Sequence, residues 1–433
     1  MDISFKDKKE NGRLDLESIE MHIRSSMQGM GRNMLEQLLN EDNGYRGRTF
    51  SCGEGSHFEF VGYREKEFLT VLGEVTIKRA YYYDEARKRG VFPRDKELLM
   101  EGQSTTPGVR KMVGRVGAMR PFALGETDLR ELAGLTVNAK EIERIAHELG
   151  EEVSKFLGGE SQAAVAEEVL VNNAKLPKFY ICMDGTGVPV VTRETENRKG
   201  KGEDGRARTR EVKLGCVFTQ TGLDASGHPK RDEESTSYVG AIETADVFSK
   251  RIYEEARRRD MENAEQVCVI GDGAPWIWNI ADEQFYGAAQ IIDLYHAREH
   301  YWKVGRELIG NDKEALKTWT GDRKKELDSG KVEEVIVAIK DLAAITQEEQ
   351  ATKEREIGYF EKNKERMRYG KFREKGLFVG SGVLEAGCRS VIGQRLKQSG
   401  MHWTVKGANS IIALRNCIMS NRWEDFWEQK AAA

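Results

Sequence analysis

Two apolar runs in this sequence end on the same step, Phe179 to Met183 before Asp184-Gly185 and Val267 to Gly271 before Asp272-Gly273. An aspartate just past an apolar strand is costly to bury unless a cation or hydrogen-bond donors meet it. In α/β sheets functional groups gather where strands end, and glycine there lets backbone and ligand approach closely. Two such aspartates on adjacent strands, joined by a glutamate from a helix, make an all-oxygen site suited to Mg²⁺ or Mn²⁺. Two ions about 4 Å apart can activate an attacking water or hydroxyl and stabilise the leaving oxygen. A single strand-end aspartate is as readily a turn or helix cap. The repeat weighs against that, but composition does not choose among 72 acids.

The elements that must position these groups follow from periodicity. Residues 1–46 hold an amphipathic helix over 15–40. Residues 47–100 alternate apolar and polar side chains around Gly62 and Gly73, the pattern of a small antiparallel sheet. Residues 101–160 return to helix, and 128–150 have a helix-turn-helix form. There Leu129, Leu132 and Ala133 face the core, Gly134 turns the chain, and Ile142 and Ile145 anchor a second helix started near Asn138. That second helix, with Lys140 and Arg144, could enter a major groove, although an ordinary helical hairpin has the same pattern. Residues 177–296 read as α/β, with the charged segment 193–213 as an extended hairpin. Residues 297–376 are charged and helical, an insertion before the closing segment 377–430.

The net charge of −4 does not announce a nucleic-acid binder, but placement matters more than the total. Residues 103–123 carry Arg110, Lys111, Arg115 and Arg120 without an acid. Residues 386–423 carry Arg389, Arg395, Lys397, Lys406, Arg415 and Arg422, again without one. Both suit a phosphate backbone, and exposed helix faces with clustered bases are the competing reading. Trp403, inside the second stretch, is a candidate for contact with unpaired DNA ends. Trp276 and Trp278 read as core or insertion-docking residues.

The segments MDGTGVPVV, REVKLGCVF, YVGAIETAD, VIGDGAPWIWNIADEQF, DLYHAREH and SGVLEAGCR stand in this order. The set resembles the ISKra-type insertion-sequence transposases of bacteria, closely over about 177–425 and more loosely before it. The resemblance implies an α/β RNase H-like catalytic domain, a mixed sheet flanked by helices and interrupted by the helical insertion. The N-terminal region would be mostly helical and DNA-binding, with its small β segment. The resemblance puts the catalytic, metal-holding acids on Asp184, Asp272 and Glu385. It matches Asp293-Leu-Tyr-His296 to an active-site motif and leaves Arg389 one helical turn from Glu385. The partners implied are the element's terminal repeats and target DNA, bound by a homodimer or higher homo-oligomer, with two Mg²⁺ or Mn²⁺ ions. Relatives carry a zinc-ribbon-like segment where this chain keeps Cys52 but has Asp84, Glu85 and Arg87, so no zinc is expected.

Composition excludes other classes. With 39% hydrophobic and 32% charged residues the chain is of ordinary globular type, with no apolar run of membrane-spanning length. The polar, acidic start lacks the features of a secretory signal, and six scattered cysteines form no Cys-x-x-Cys pair, so a cytoplasmic protein is expected. A stand-alone nuclease of the same fold and a catalytically silent DNA-binding protein remain the alternatives.

Overall fold

A computed structural model describes residues 15–51, 57–167, 176–200 and 205–432. Cys52 and residues 201–204 of the charged connection lie outside the described residues. The chain divides into two compact units, Met1–Ala146 with Trp427–Ala433, and His147–Phe426. The boundary falls within the helix Ala139–Glu167.

In the first unit the helix Leu16–Glu41 precedes four antiparallel strands in the order β1-β2-β3-β4. These are β1 (Thr49–Phe50), β2 (Phe58–Thr70), β3 (Gly73–Asp84) and β4 (Arg89–Val91). Alternation puts Phe68, Val75 and Ile77 on one face with Met100, and Phe58, Ala80 and Tyr82 in a second cluster. Asp84, at the end of β3, accepts from the Arg87 backbone at 3.1 Å and pairs with its guanidinium at 2.9 Å. A polar clasp therefore closes this end of β3.

Helices Pro107–Met119 and Phe122–Asp128 lead into a π-helical turn, Leu129–Ala133. Gly134 then adopts φ 70°, a left-handed conformation that favours glycine. Asn138 Oδ1 accepts from the Glu141 amide at 2.9 Å and caps the next helix, which buries Ile142 and Ile145. Leu132 departs from the sequence reading. It is 75% exposed, because the π-helical turn carries it off the face that buries Leu129.

The second unit is built on a five-stranded mixed sheet in the order β11-β10-β5-β6-β9. Its strands are β5 (Leu176–Pro189), β6 (Thr209–Gln220), β9 (Ser237–Ala241), β10 (Ala264–Gly271) and β11 (Ala289–Ile292), with a two-stranded ribbon of β7 (Gly222–Leu223) and β8 (Pro229–Lys230) after β6. β5 pairs antiparallel with β6, and β6 with β9, whereas β5, β10 and β11 run parallel. The apolar runs Phe179–Met183 and Cys268–Ile270 are buried on both faces, as the middle strands of a helix-covered sheet must be. The outer edge of β9 is occupied by the helix Val405–Met419 and the residue after it. The Tyr238 amide donates to Ser420 Oγ at 2.8 Å, the Ile242 amide donates to Asn409 Oδ1 at 2.7 Å, and Asn416 Nδ2 donates to Gly240 O at 3.1 Å.

Between β11 and residue 376 the chain is helical: Leu294–Leu308, Lys313–Asp328, Val332–Asp341, Gln347–Asn363 and Tyr369–Glu374. Thr346 and Glu349 form a capping box that starts Gln347–Asn363. Among the described residues no helix is long and apolar enough to cross a membrane.

Candidate active site

Register brings three aspartates to one level. Met183 on β5 stands opposite Gly271 on β10, and Gly271 opposite Ile292 on β11, so Asp184, Asp272 and Asp293 each follow at the carboxyl side of that row. Gly273 takes φ 102°, and a side chain there would meet Tyr359 Cε2 at 2.8 Å. The turn after Asp272 therefore needs glycine for both conformation and space.

Each aspartate is used differently. Asp184 Oδ1 accepts from the Gly185 amide at 2.6 Å, and Oδ2 from Cys388 Sγ at 3.2 Å. Asp272 Oδ1 accepts from the Ala274 amide at 2.9 Å. Asp293 is buried and spends both oxygens on structure. Oδ1 caps the helix Leu294–Leu308 through the His296 amide at 2.8 Å, and Oδ2 accepts from the Ser381 amide. With Leu294 N bonded to Val379 O at 2.9 Å, this bracket fixes the turn that starts the helix Gly382–Gly387.

That helix carries Glu385 into the same cleft. Cys388, three residues on and therefore on the same helix face, is the group bonded to Asp184. The helix continues as a π-helical segment, Cys388–Gly393. Arg415 holds this segment from beneath, its guanidinium donating to Val391 O at 2.6 Å and to Ser390 O. Burial pulls the Arg415 pKa down to about 10. The cleft, about 290 Å³, is lined by Asp184, Asp272, Glu385, Asp293 and His296 among others.

Burial, and secondarily the Asp272 charge, raises the Asp184 pKa, against lowering contributions from Cys388, the Gly185 amide and His296. Among the described residues none of Asp184, Asp272 and Glu385 is in an ion pair. An acidic cleft with oxygen donors, none of its three candidate acids in an ion pair among the described residues, fits a hard divalent cation in donor chemistry. As the side chains stand, no three His, Cys, Asp or Glu groups among the described residues converge closely enough to hold an ion.

One cluster had almost no sequence signal. His300 Nδ1 meets the buried carboxylate of Glu356, and His300 Nε2 lies 3.3 Å from His296 Nε2. Tyr359 stacks on His300 with ring centroids 3.6 Å apart and donates its hydroxyl to Asp272 O at 3.3 Å. Burial would raise the Glu356 pKa, but His300, Arg355 and Lys303 outweigh it and hold the group at about 2. The helix Gln347–Asn363 thus reaches the cleft through a chain of ring and carboxylate contacts. The only hint in the sequence is the helical spacing of His296 and His300.

The expected DNA-contact residues separate by burial. Arg115, Arg120, Lys140 and Arg144 are exposed, with Arg120 paired to Asp128 at 2.9 Å and Arg144 to Glu141. Lys111 is half-buried. Arg110 is buried and donates to Gln103 Oε1 at 2.8 Å, so it serves the fold rather than a phosphate. Arg395 is also buried, over the Trp403 ring and near Met401. Trp403 is buried with Nε1 donating to Leu396 O at 3.1 Å, and its backbone extends β5 through Pro189 and Val191. Neither can take a strand path or stack a base as the sequence suggested, because each fills core space. Arg422 is likewise buried, over Phe156. Arg389 is exposed and does not line the cleft. Lys406 pairs with Glu151 at 2.7 Å, and Lys397 donates to Thr186 Oγ1, two residues beyond Asp184.

Residues 9–117 match the family described as "Uncharacterised protein family (UPF0236)". A relative from Streptococcus gallolyticus, the "UPF0236 protein in vanSb 3'region", is 24% identical over 381 residues, covering 86% of this chain and 76% of its own length. Among solved structures, the "Drosophila P element transposase strand transfer complex" aligns over 78% of this chain and 84% of that one, at 9% identity and a TM-score of 0.25. A score that low carries no argument about fold or activity, and the chain is most plainly similar to UPF0236 proteins over its N-terminal quarter.

Proposed function

We propose that this chain is a DDE-class DNA transposase that cuts and joins DNA with Asp184, Asp272 and Glu385. The observation that carries the reading is that all three line one cleft at the carboxyl ends of two parallel strands, and that none of them is in an ion pair among the described residues. The sheet supports it. Three antiparallel strands in chain order, then two parallel strands added beside the first, is the arrangement expected of an RNase H-like domain, and the helical stretch before Glu385 fits its interruption.

In this reading Asp184, Asp272 and Glu385 would hold Mg²⁺ or Mn²⁺, which would supply activation of the attacking hydroxyl and charge stabilisation at the leaving oxygen. The protein's own part is positioning. Asp293 fixes the Ser381 turn, Cys388 ties the Glu385 helix to Asp184, and Lys397 offers a cation beside Thr186 for an incoming phosphate. His296 faces the same cleft from the helix Leu294–Leu308.

The test is a cleavage and strand-transfer assay with Mg²⁺ or Mn²⁺ on DNA carrying the cognate element ends. Asp184→Asn, Asp272→Asn and Glu385→Gln should each lower activity at least about 10³-fold, the scale of losing one essential group, with DNA binding retained. Full activity in any one of them would remove that residue from the site. Cleavage without joining would favour a nuclease of the same fold.

A further inference from the structure

Along the helix Leu16–Glu41 no residue is fully buried, and a row of large apolar side chains stands in solvent. Leu16, Ile23, Met27, Met30, Met34 and Leu38 are 43–68% exposed. Their spacing of three, four and seven residues places them within a sector of roughly 80°, at about 100° per residue. The stripe runs about 33 Å along the helix.

The opposite face is already engaged. Arg24 donates to Leu132 O and Gln28 Nε2 to Ala133 O at 3.3 Å. Farther along, Glu36 Oε2 accepts from the Thr76 amide at 3.0 Å, while Asn40 bonds Thr76 O and the Lys78 amide, each at 2.8 Å. The helix is thus docked on β3 and the Leu129–Ala133 turn with its apolar stripe turned outward.

We propose that this stripe is the interface with a second copy of the chain, an antiparallel helix pair about a twofold axis between Met27 and Met30. Three observations select that occupant. A narrow stripe repeating at three and four residues matches a like helix, because knobs and holes of the same spacing interlock. Six half-exposed side chains present on the order of 600 Å² per copy, close to the roughly 800 Å² per partner of a standard interface. The charges select the direction. Glu20 and Glu41 fall within the stripe near its two ends, and a parallel pair would set each against its own copy. The antiparallel pair instead sets Glu20 near Gln37, Glu41 near Leu16 and Ile23 near Met34. The remaining charges, Glu17 and Glu36 against Arg24 and Arg32, give no basic face for an anionic bilayer.

The experiment uses the full chain without DNA. Light scattering should give a dimer at micromolar concentration, and Met27→Glu with Met34→Glu should give a monomer with an unchanged circular-dichroism spectrum. Should that double variant unfold, single cysteines keep the proposal testable. Ile23→Cys mixed with Met34→Cys should cross-link on oxidation above the level of the unsubstituted chain, and neither alone should do so. A wild-type monomer, cross-linking of Met34→Cys with itself, or helix-dependent sedimentation with anionic vesicles would each overturn it.

Discussion

Asp184 sits where its own charge is unwelcome. Burial first, and then Asp272, raise its pKa, so the metal-free fold holds this proton more tightly than the unfolded chain does. The linkage sign follows. The stability contributed by a raised carboxyl is complete below the ordinary aspartate range of about 3.9 and is lost as pH rises through its folded pKa. In a chelator, Asp184→Asn should therefore raise the melting temperature at pH 7 and converge with the wild type as the pH falls below that range. Adding Mn²⁺ should stabilise the wild type and not the variant. A variant that melts lower than wild type in chelator at pH 7 would show that Asp184 is satisfied as an anion.

The same scale separates bases that look alike in sequence. Arg110 and Arg115 lie one turn and a half apart on one helix, yet only Arg115 is exposed. If the first unit binds DNA, Arg115→Gln with Lys140→Gln should weaken binding to any sequence and make the salt slope shallower by about two. Arg110→Gln should leave the slope unchanged and cost about 1–3 kcal/mol of stability by removing a buried guanidinium from its bond to the half-buried Gln103. Gel shifts over a salt series and urea unfolding distinguish the two.

Elements carry what single residues cannot. The helix Gln347–Asn363 brings Glu356 and Tyr359 to His300 and Asp272. Because the Glu356 pKa is held at about 2, below its ordinary 4.5, the stability it contributes is present above pH 4.5 and lost as pH falls toward 2. Glu356→Gln should flatten that acid transition, read by tryptophan fluorescence, and cost about 1–3 kcal/mol at pH 7. An unaltered acid profile would place the transition on other carboxylates. Strand ends were legible because apolar runs and glycine are local signals. The contacts of this helix were not, because a charged helix shows no preference among its acids until packing buries one. Burial of Arg395, Arg415 and Trp403 was hidden for a related reason. Composition treats arginine as a surface residue, whereas here its long stem fills the interior and its head satisfies carbonyls of a π-helical segment. Glu385 has no strand pattern of its own, and only its resemblance to a family motif distinguished it from other helical glutamates.

At the scale of the molecule, two units of different construction divide the chain, and the sheet of the second would ordinarily present an open border at β9. A bare strand border is a template on which another chain can add. Here the outward groups of alternate residues, the Tyr238 amide, Gly240 carbonyl and Ile242 amide, are taken by Ser420, Asn416 and Asn409. Side chains of a helix thus stand in for a sixth strand. The consequence concerns solubility rather than chemistry: three polar side chains remote from the carboxylates guard the sheet against aggregation, and losing them would expose a border ready to pair while the cleft stays intact.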